Sequence, residues 1–222
     1  LAKGAFKDDV VNRFSALGYK VSYSLLNAKD FGIPQHRKRI FFVGIMEGEF
    51  VFPDGSAIPD VTTKEALSDL PPIDVEHKVI GTFDYPSPPK SDYQKYIRGK
   101  SKQITNHLIT MHTEQTKNII GMIPDGGKIK DLPREYWEVR KFNKAFQRMP
   151  SDGVSATVDT GHRNYFHYKQ NRIPTARENA RLQSFKDDWV PQGSKTSQYK
   201  QIGNAVPPLL AETLARRLKN YL

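Results

Sequence analysis

The sequence predicts an α/β fold, and three stretches near its start carry that expectation. Residues 4–17 place Phe6, Val10, Val11, Phe14 and Leu17 near helical spacing, with Gly18 as the stop of an amphipathic helix. Tyr19 to Leu26 alternates as a strand does, setting Val21, Tyr23 and Leu25 on one face. The run Ile40-Phe41-Phe42-Val43-Gly44-Ile45 is short, β-branched or aromatic, and bounded by Pro34 and Gly44, so it reads as a buried strand. Asn27 to Pro34 is the loop between the two strands. Helix, strand, loop and strand make one edge of an α/β sheet but too little to close a core. Something must cover that edge, because an open strand edge invites aggregation or dimerisation.

The later elements follow in order. Residues 46–61 carry Gly, Pro and Asp and mark a boundary. Thr62-Thr63-Lys64-Glu65 has the spacing of a capping box and opens a short helix through Leu70, which Pro71-Pro72 ends. Residues 73–103 turn from acidic to Pro- and Lys-rich without periodicity and read as loop with short strands. Asn106 to Ile123 is expected to be a helix with Leu108, Met111, Ile119, Ile120 and Ile123 as its apolar members. Pro124-Asp125-Gly126-Gly127 signals a turn. Gly153 to Tyr168 reads as a hairpin, with Val154, Ala156 and Val158 alternating before Asp159-Thr160-Gly161-His162. Arg172 to Gln183 is a loop entering a helix, Thr175 its N-cap and Glu178 three residues on. After Gln201-Ile202-Gly203-Asn204-Ala205-Val206-Pro207-Pro208 comes a final helix, with prolines in its first turn and a stripe of Leu210, Leu214, Ala215 and Leu218. The chain has no internal repeat and no low-complexity tract.

A chain of 222 residues holds one large or two small domains. With no Cys, it carries no disulfide, thiolate metal ligand or cysteine nucleophile of its own. No apolar run approaches the ~20 residues of a membrane span, and no signal peptide opens the sequence, so a soluble, cytoplasmic protein is expected. The first residue is Leu1, not Met, which suggests a processed, excised or partial chain. Residues 90–186 hold 19 basic against 9 acidic residues, an excess equal to the +10 of the whole chain. Positive charge gathered in one region points to a polyanion footprint. A solvated lysine-rich face is the plain alternative.

The chemistry concentrates in Pro34-Gln35-His36-Arg37-Lys38-Arg39, which runs straight into the second strand. If the backbone is already extended at Arg37, then Arg37 and Arg39 share a face. Two guanidiniums at the mouth of a buried strand are costly without an anionic partner, whether phosphate, carboxylate or both. A basic surface turn is the competing reading.

Three blocks stand in order: Pro34 to Arg39; Arg172-Ile173-Pro174-Thr175-Ala176-Arg177-Glu178-Asn179-Ala180-Arg181-Leu182-Gln183-Ser184-Phe185; and Gln201 to Pro208. Together they resemble the last three signature motifs of DNA (cytosine-5)-methyltransferases. Leu1 to Leu26 resembles the segment that precedes those motifs, and Asn106-His107 and Gly126-Gly127 resemble features of some target-recognition regions. The resemblance runs along the whole chain but covers only the C-terminal half of such an enzyme. The family's glycine-rich cofactor loop, Pro-Cys nucleophile motif and glutamate motif have no counterpart here. It therefore implies a C-terminal fragment, or the smaller subunit of a split enzyme, inactive without a partner that carries the cysteine. Pro174 and Lys186 stand where leucine and proline are commoner.

The resemblance implies a fold and a layout. Residues 1–52 would form the C-terminal edge of an S-adenosylmethionine-dependent, Rossmann-like catalytic sheet. Residues 53–185 would be a small, mixed, β-rich target-recognition domain with its connecting motif, and 186–222 would return to the catalytic domain. It also implies a reaction. A cytosine is flipped out of double-stranded DNA, a cysteine attacks C6, and C5 takes the methyl group of S-adenosylmethionine before losing its proton. Arg39 would touch the flipped base and orient the family's glutamate, while Gln35 and Arg37 would hold that loop and a neighbouring phosphate. Gly203, Asn204 and Ala205 would lie beside the cofactor, at a tight turn read as a helix N-terminus, which favours carboxylates. Arg172, Thr175, Arg177 and Glu178 would tie recognition region to catalytic domain, with Arg172 and Arg177 also near the DNA. His162, Arg163 and Asn164 are the candidates for reading bases. The resemblance further implies DNA methylation within a restriction–modification system.

Competing readings rest on less. A stand-alone DNA-binding specificity protein would keep these motifs for fold alone. His107 with His112, and His162 with His167, lie five apart, off the helical spacing for two ligands on one face, so no metal is expected. Pro59-Asp60 with Glu76-His77-Lys78 faintly matches a Mg²⁺-dependent nuclease pattern.

Overall fold

The computed structural model describes residues 4–73, 82–137, 146–161 and 165–222. The first helix, α1 (Ala5–Ala16), ends where expected, with Gly18 in the left-handed region at φ 92°. Strand β1 (Lys20–Asn27) pairs antiparallel with β2 (Lys38–Ile45), from Lys20 opposite Ile45 to Asn27 opposite Lys38. A 3₁₀ turn, Ala28–Phe31, fills the loop between them.

This edge is less covered than a fully buried strand would be. Only Ile45 of β2 is buried; Tyr23 and Leu25 of β1 are exposed, and α1 buries none of its residues. Lys7 Nζ stands 5.1 Å from the Tyr23 ring centroid and Phe14 meets Tyr19 edge-on, but these contacts do not cover the sheet.

The middle of the chain is built mainly from short helices: α2 (Thr63–Leu67), α3 (Asp92–Arg98) and α4 (Glu114–Met122). Its strands are two residues each, β3 (Phe83–Asp84) antiparallel to β4 (Gln103–Ile104) and β5 (Gln147–Arg148) parallel to β6 (Tyr165–Phe166). The described part of this region is therefore not β-rich. Two expectations fail here for one reason, long-range pairing. The helix foreseen from Asn106 starts only at Glu114, behind the N-cap Thr113. Upstream of it, Asn106 adopts φ 59° and its carbonyl accepts Arg177 N–H, while Ile109 carbonyl accepts Lys195 Nζ at 2.6 Å, so residues 106–109 form a strap over later elements. The described residues of 153–168 do not pair with one another as the foreseen hairpin would. Ser155 bridges in parallel to Gln35, and β6 pairs with β5.

Helix α5 (Ala176–Leu182) is buried along its whole length and opens on the foreseen capping box, as α2 does at Thr62. Helix α6 (Lys195–Asn204) has no counterpart in the sequence reading, because only Tyr199, Ile202 and Gly203 of its ten residues are buried. Its N-cap, Ser194, accepts Ser197 N–H. Helix α7 (Pro208–Leu218) starts on proline and buries Leu210.

Three apolar clusters hold these parts. One joins Leu67, Ile97, Ile104, Met149, Val158 and Leu182 with Ile202 of α6. A second joins Leu26, Phe31 and Ile33 with Leu210, so α7 packs back onto the start of the chain. The third gathers Ile120, Ile123, Phe146, Phe166 and Ile173. Among the described residues no helix is long and apolar enough to cross a membrane.

Candidate functional site

The segment Pro34–Arg39 enters β2 between two later pieces of chain, and backbone bonds fix it there. Ser155 N–H donates to Pro34 carbonyl, Ser155 Oγ–H to the same oxygen at 2.6 Å, and His36 N–H to Ser155 carbonyl. Inside this seam Gln35 is wholly buried. Its Oε1 accepts Val158 N–H at 2.9 Å, and its Nε2 donates to Leu182 carbonyl at 3.1 Å and to Gln183 Oε1. Gln183 Nε2 donates in turn to Ala205 carbonyl at 2.7 Å.

Arg37 closes the ring. Its Nη1 donates to Val158 carbonyl at 3.1 Å, and its Nη2 to the carbonyls of Gly203 at 2.7 Å and Ala205 at 3.1 Å. Its own N–H is held by Asn27 Oδ1. Burial, and then the nearby Arg39 charge, lower the Arg37 pKa to about 10, which leaves it cationic at neutral pH. The expected anionic partner is not what balances this charge. Three backbone carbonyls do so, two of them at the C-terminal end of α6, where the helix dipole favours a cation.

Arg37 and Arg39 do not share an environment. Arg37 precedes β2 and points inward; Arg39 lies in β2 and is exposed, with Nη1 donating to Lys38 carbonyl at 2.8 Å. Among the described residues Arg39 has no carboxylate partner.

The Gly203-Asn204-Ala205 turn needs a second correction. It ends α6 and does not begin a helix, so the local backbone offers carbonyls to Arg37 and no anion site. At the start of α7, Leu209 N–H is taken by Ser184 Oγ. Gly203 is dictated by contact: a Cβ there would lie 2.4 Å from Asp159 carbonyl oxygen. Asn204 is exposed beside it, and Ala205 is half-buried.

The middle block turns inward. Arg172 grips Glu178 with both terminal nitrogens, at 2.8 and 2.7 Å. Burial alone would push the Glu178 carboxyl up, but the Arg172 guanidinium holds it well below the usual carboxylate range. His167 Nδ1 accepts the N–H groups of Lys169 and Gln170, so its proton sits on Nε2, facing Glu178 at 3.6 Å. Burial lowers the His167 pKa to about 4, outweighing the carboxylate, so the ring is neutral at pH 7. His107 is placed alike: Nε2 donates to Pro71 carbonyl and Nδ1 meets Thr175 Oγ1. Arg177 donates to the Thr105 and Trp189 carbonyls, and Arg181 bridges Asp69 and Asp187. Arg172 and Arg177 are thus 6% and 0% exposed, with guanidiniums spent on interior partners.

Of the remaining candidates, His162, Arg163 and Asn164 lie outside the described residues. Asp60 is paired with Lys29 at 3.1 Å, while Glu76 and Lys78 also fall outside them. His112 Nε2 accepts Ile173 N–H, and it and His107 serve different parts of the chain. Sequence reasoning gave no separate role to Gln183, Asn27 or Val158. Gln183 stood within a quoted block, but nothing in residue type marks a backbone group such as that of Val158.

The chain matches the description "C-5 cytosine-specific DNA methylase" over residues 2–220. It is 35% identical to the type II methyltransferase M.DdeI of Desulfomicrobium norvegicum, covering 97% of this chain and 58% of that protein. It is 36% identical to the type II methyltransferase M1.HphI of Haemophilus parahaemolyticus, covering 96% and 51%. The chain therefore spans little more than half the length of these relatives. Its fold is similar to that of a prophage-encoded E. coli protein assigned as a DNA modification methyltransferase, with TM-score 0.79, 22% identity, and coverage of 97% of this chain and 64% of that one. A match over nearly every residue, together with relatives above one-third identity, settles membership: this chain belongs to the C-5 cytosine-specific DNA methylase family.

Proposed function

We propose that this chain is the DNA-facing, C-terminal part of a cytosine-5 methyltransferase, whose cysteine nucleophile and most of whose S-adenosylmethionine site lie on sequence outside residues 1–222. The supporting observation is the split between two arginines of one loop. Arg37 is buried and fixes the backbone, while Arg39 is exposed at its rim without a carboxylate among the described residues. Such a guanidinium is suited to a partner brought from outside. In this reading the partners are the flipped cytosine and the family's glutamate on the upstream segment.

The chain's own residues then have distinct tasks. Gln35 and Arg37 hold the loop, and Arg39 orients the base edge. In the family chemistry a thiolate bonds to C6, C5 takes the methyl group, and loss of the C5 proton expels the thiolate. The cofactor supplies that methyl as an electrophile. The 203–205 turn fits it in part: Asn204 is an exposed carboxamide able to meet its amino-acid end, whereas the carbonyls around it suit no carboxylate. Residues 53–185 are proposed to recognise the target, with Arg163 reading guanine and Asn164 adenine. The basic excess of residues 90–186 would supply phosphate contacts, which carry no sequence information.

The test is methyl transfer to duplex DNA by the full protein. Arg39→Ala is expected to lower turnover by roughly 10³-fold, with DNA affinity within a few-fold of wild type. Unchanged turnover removes Arg39 from the site, and a full protein that binds duplex without transferring methyl groups leaves a specificity protein in its place.

A further inference from the structure

The ring around Gln35 and Arg37 has a direction. Val158 N–H can only donate, so Gln35 must turn Oε1 towards it and Nε2 towards Gln183. Gln183 must then present Oε1 to Gln35, and its Nε2 faces Ala205 carbonyl, which can only accept. Ala205 carbonyl also receives Arg37, whose other terminal nitrogen returns to Val158 carbonyl. Both amides are therefore locked in one orientation, and a flip of either would set like groups against each other at two places. Gln183 sits at the C-cap of α5, wholly buried, and its side chain spans from the loop before β2 to the turn after α6.

We propose that Gln183 is a positioning residue that couples the Arg39-bearing loop to the 203–205 turn, so that the base side and the cofactor side of the site hold one relative geometry. The coupling rests on the methyltransferase reading for its consequence, though not for its existence. Gln183 touches neither reacting group; it acts through Gln35 and Ala205. Its contribution to folding is small by comparison, since Gln35 Nε2 keeps Leu182 carbonyl and Ala205 carbonyl keeps Arg37 when the Gln183 amide is removed.

One variant of the full protein tests this. In Gln183→Leu, kcat for methyl transfer should fall about 10- to 100-fold while KM for DNA and for S-adenosylmethionine stays within about threefold. Hydrogen exchange supplies a readout free of activity: in Gln183→Leu, residues 34–39 and 203–206 should both exchange about fivefold faster, with α1 unchanged. Faster exchange at one segment alone, or a kcat left unchanged in Gln183→Leu, overturns the coupling. A wild-type protein that transfers no methyl group overturns the methyltransferase reading instead, and the exchange experiment still decides whether the two segments are coupled.

Discussion

Arg37 Nη2 donates to the carbonyl of Gly203 at 2.7 Å, across 166 positions of sequence. This bond sets the last turn of α6 against the loop that enters β2, and it explains how a guanidinium is buried with no carboxylate partner among the described residues. The open carbonyls of a helix C-terminus carry partial negative charge, worth about 0.3–1 kcal/mol to a surface cation and up to about 2 kcal/mol when partly buried. Arg148 repeats the device elsewhere, donating to the Ile120 and Ile123 carbonyls at the end of α4. In both places a buried arginine terminates a helix and fixes the chain next to it.

The two arginines of the loop should separate cleanly in unfolding experiments. Arg37→Met deprives the Gly203 carbonyl of its donor inside the protein and removes a cation from a favourable helix end, so urea denaturation should show a loss of about 3 kcal/mol. Arg39→Ala removes an exposed side chain bonded, among the described residues, only to the carbonyl before it, and should stay within about 0.5 kcal/mol of wild type. Equal losses would mean that Arg39 serves the fold as well.

Gly203 gives a test of close backbone packing. Alanine there would put Cβ 2.4 Å from Asp159 carbonyl oxygen and 2.7 Å from Thr160 N, both backbone atoms that cannot swing aside. Separating α6 from residues 159–160 should cost about 2–3 kcal/mol. Gly161→Ala is the control: the nearest atom its Cβ would meet among the described residues is Asp159 Oδ1, at 3.5 Å, and the change should be within about 0.5 kcal/mol.

These contacts also show which parts of the structure a sequence discloses. The α1 stop at Gly18, the capping boxes at Thr62 and Thr175 and the proline start of α7 are short-range chemistry, written in residues at most four apart, and they stand in the structure. The described residues of 153–168 do not pair as a hairpin because their alternation serves pairing with Gln35, more than 100 positions away, and local pattern cannot distinguish the two. Helix α6 escapes notice because only three of its ten residues are buried, too few to make an apolar stripe, and so its end resembles a helix start. In the site, the blocks were legible as blocks. The division of labour between Arg37 and Arg39 was not, because a carbonyl cage leaves no trace in residue type.

Arg172 and Glu178 yield a prediction about binding as well as stability. Removing Arg172 leaves a carboxylate buried without its counter-charge, so Arg172→Met should lose about 3–5 kcal/mol. Adding Glu178→Gln should recover part of that loss, which a double-mutant cycle measures. Because Arg172 is held inside, any variant at this position that folds should keep the salt dependence of DNA binding. A slope reduced by about one would instead mark Arg172 as a phosphate contact.

The same cluster sets a pH window. His167 is neutral in the fold with its pKa lowered to about 4, and burial lowers His107 as well, whereas both titrate near their ordinary value when unfolded. Between those values the unfolded chain binds more protons, so stability is full above about pH 6.5 and falls as pH drops towards 4. Protonation of His167 would also break the two N–H bonds that its Nδ1 accepts. Glu178, held low, adds to the loss only when pH falls below the ordinary carboxylate range, so the first part of the decline belongs to the imidazoles. The His167 contribution should be on the order of 2–3 kcal/mol across this window. Urea unfolding at pH 7, 6, 5 and 4 measures it. His167→Gln should be less stable at pH 7 but flatter with pH, and a variant whose stability falls as steeply as wild type would place the titration elsewhere.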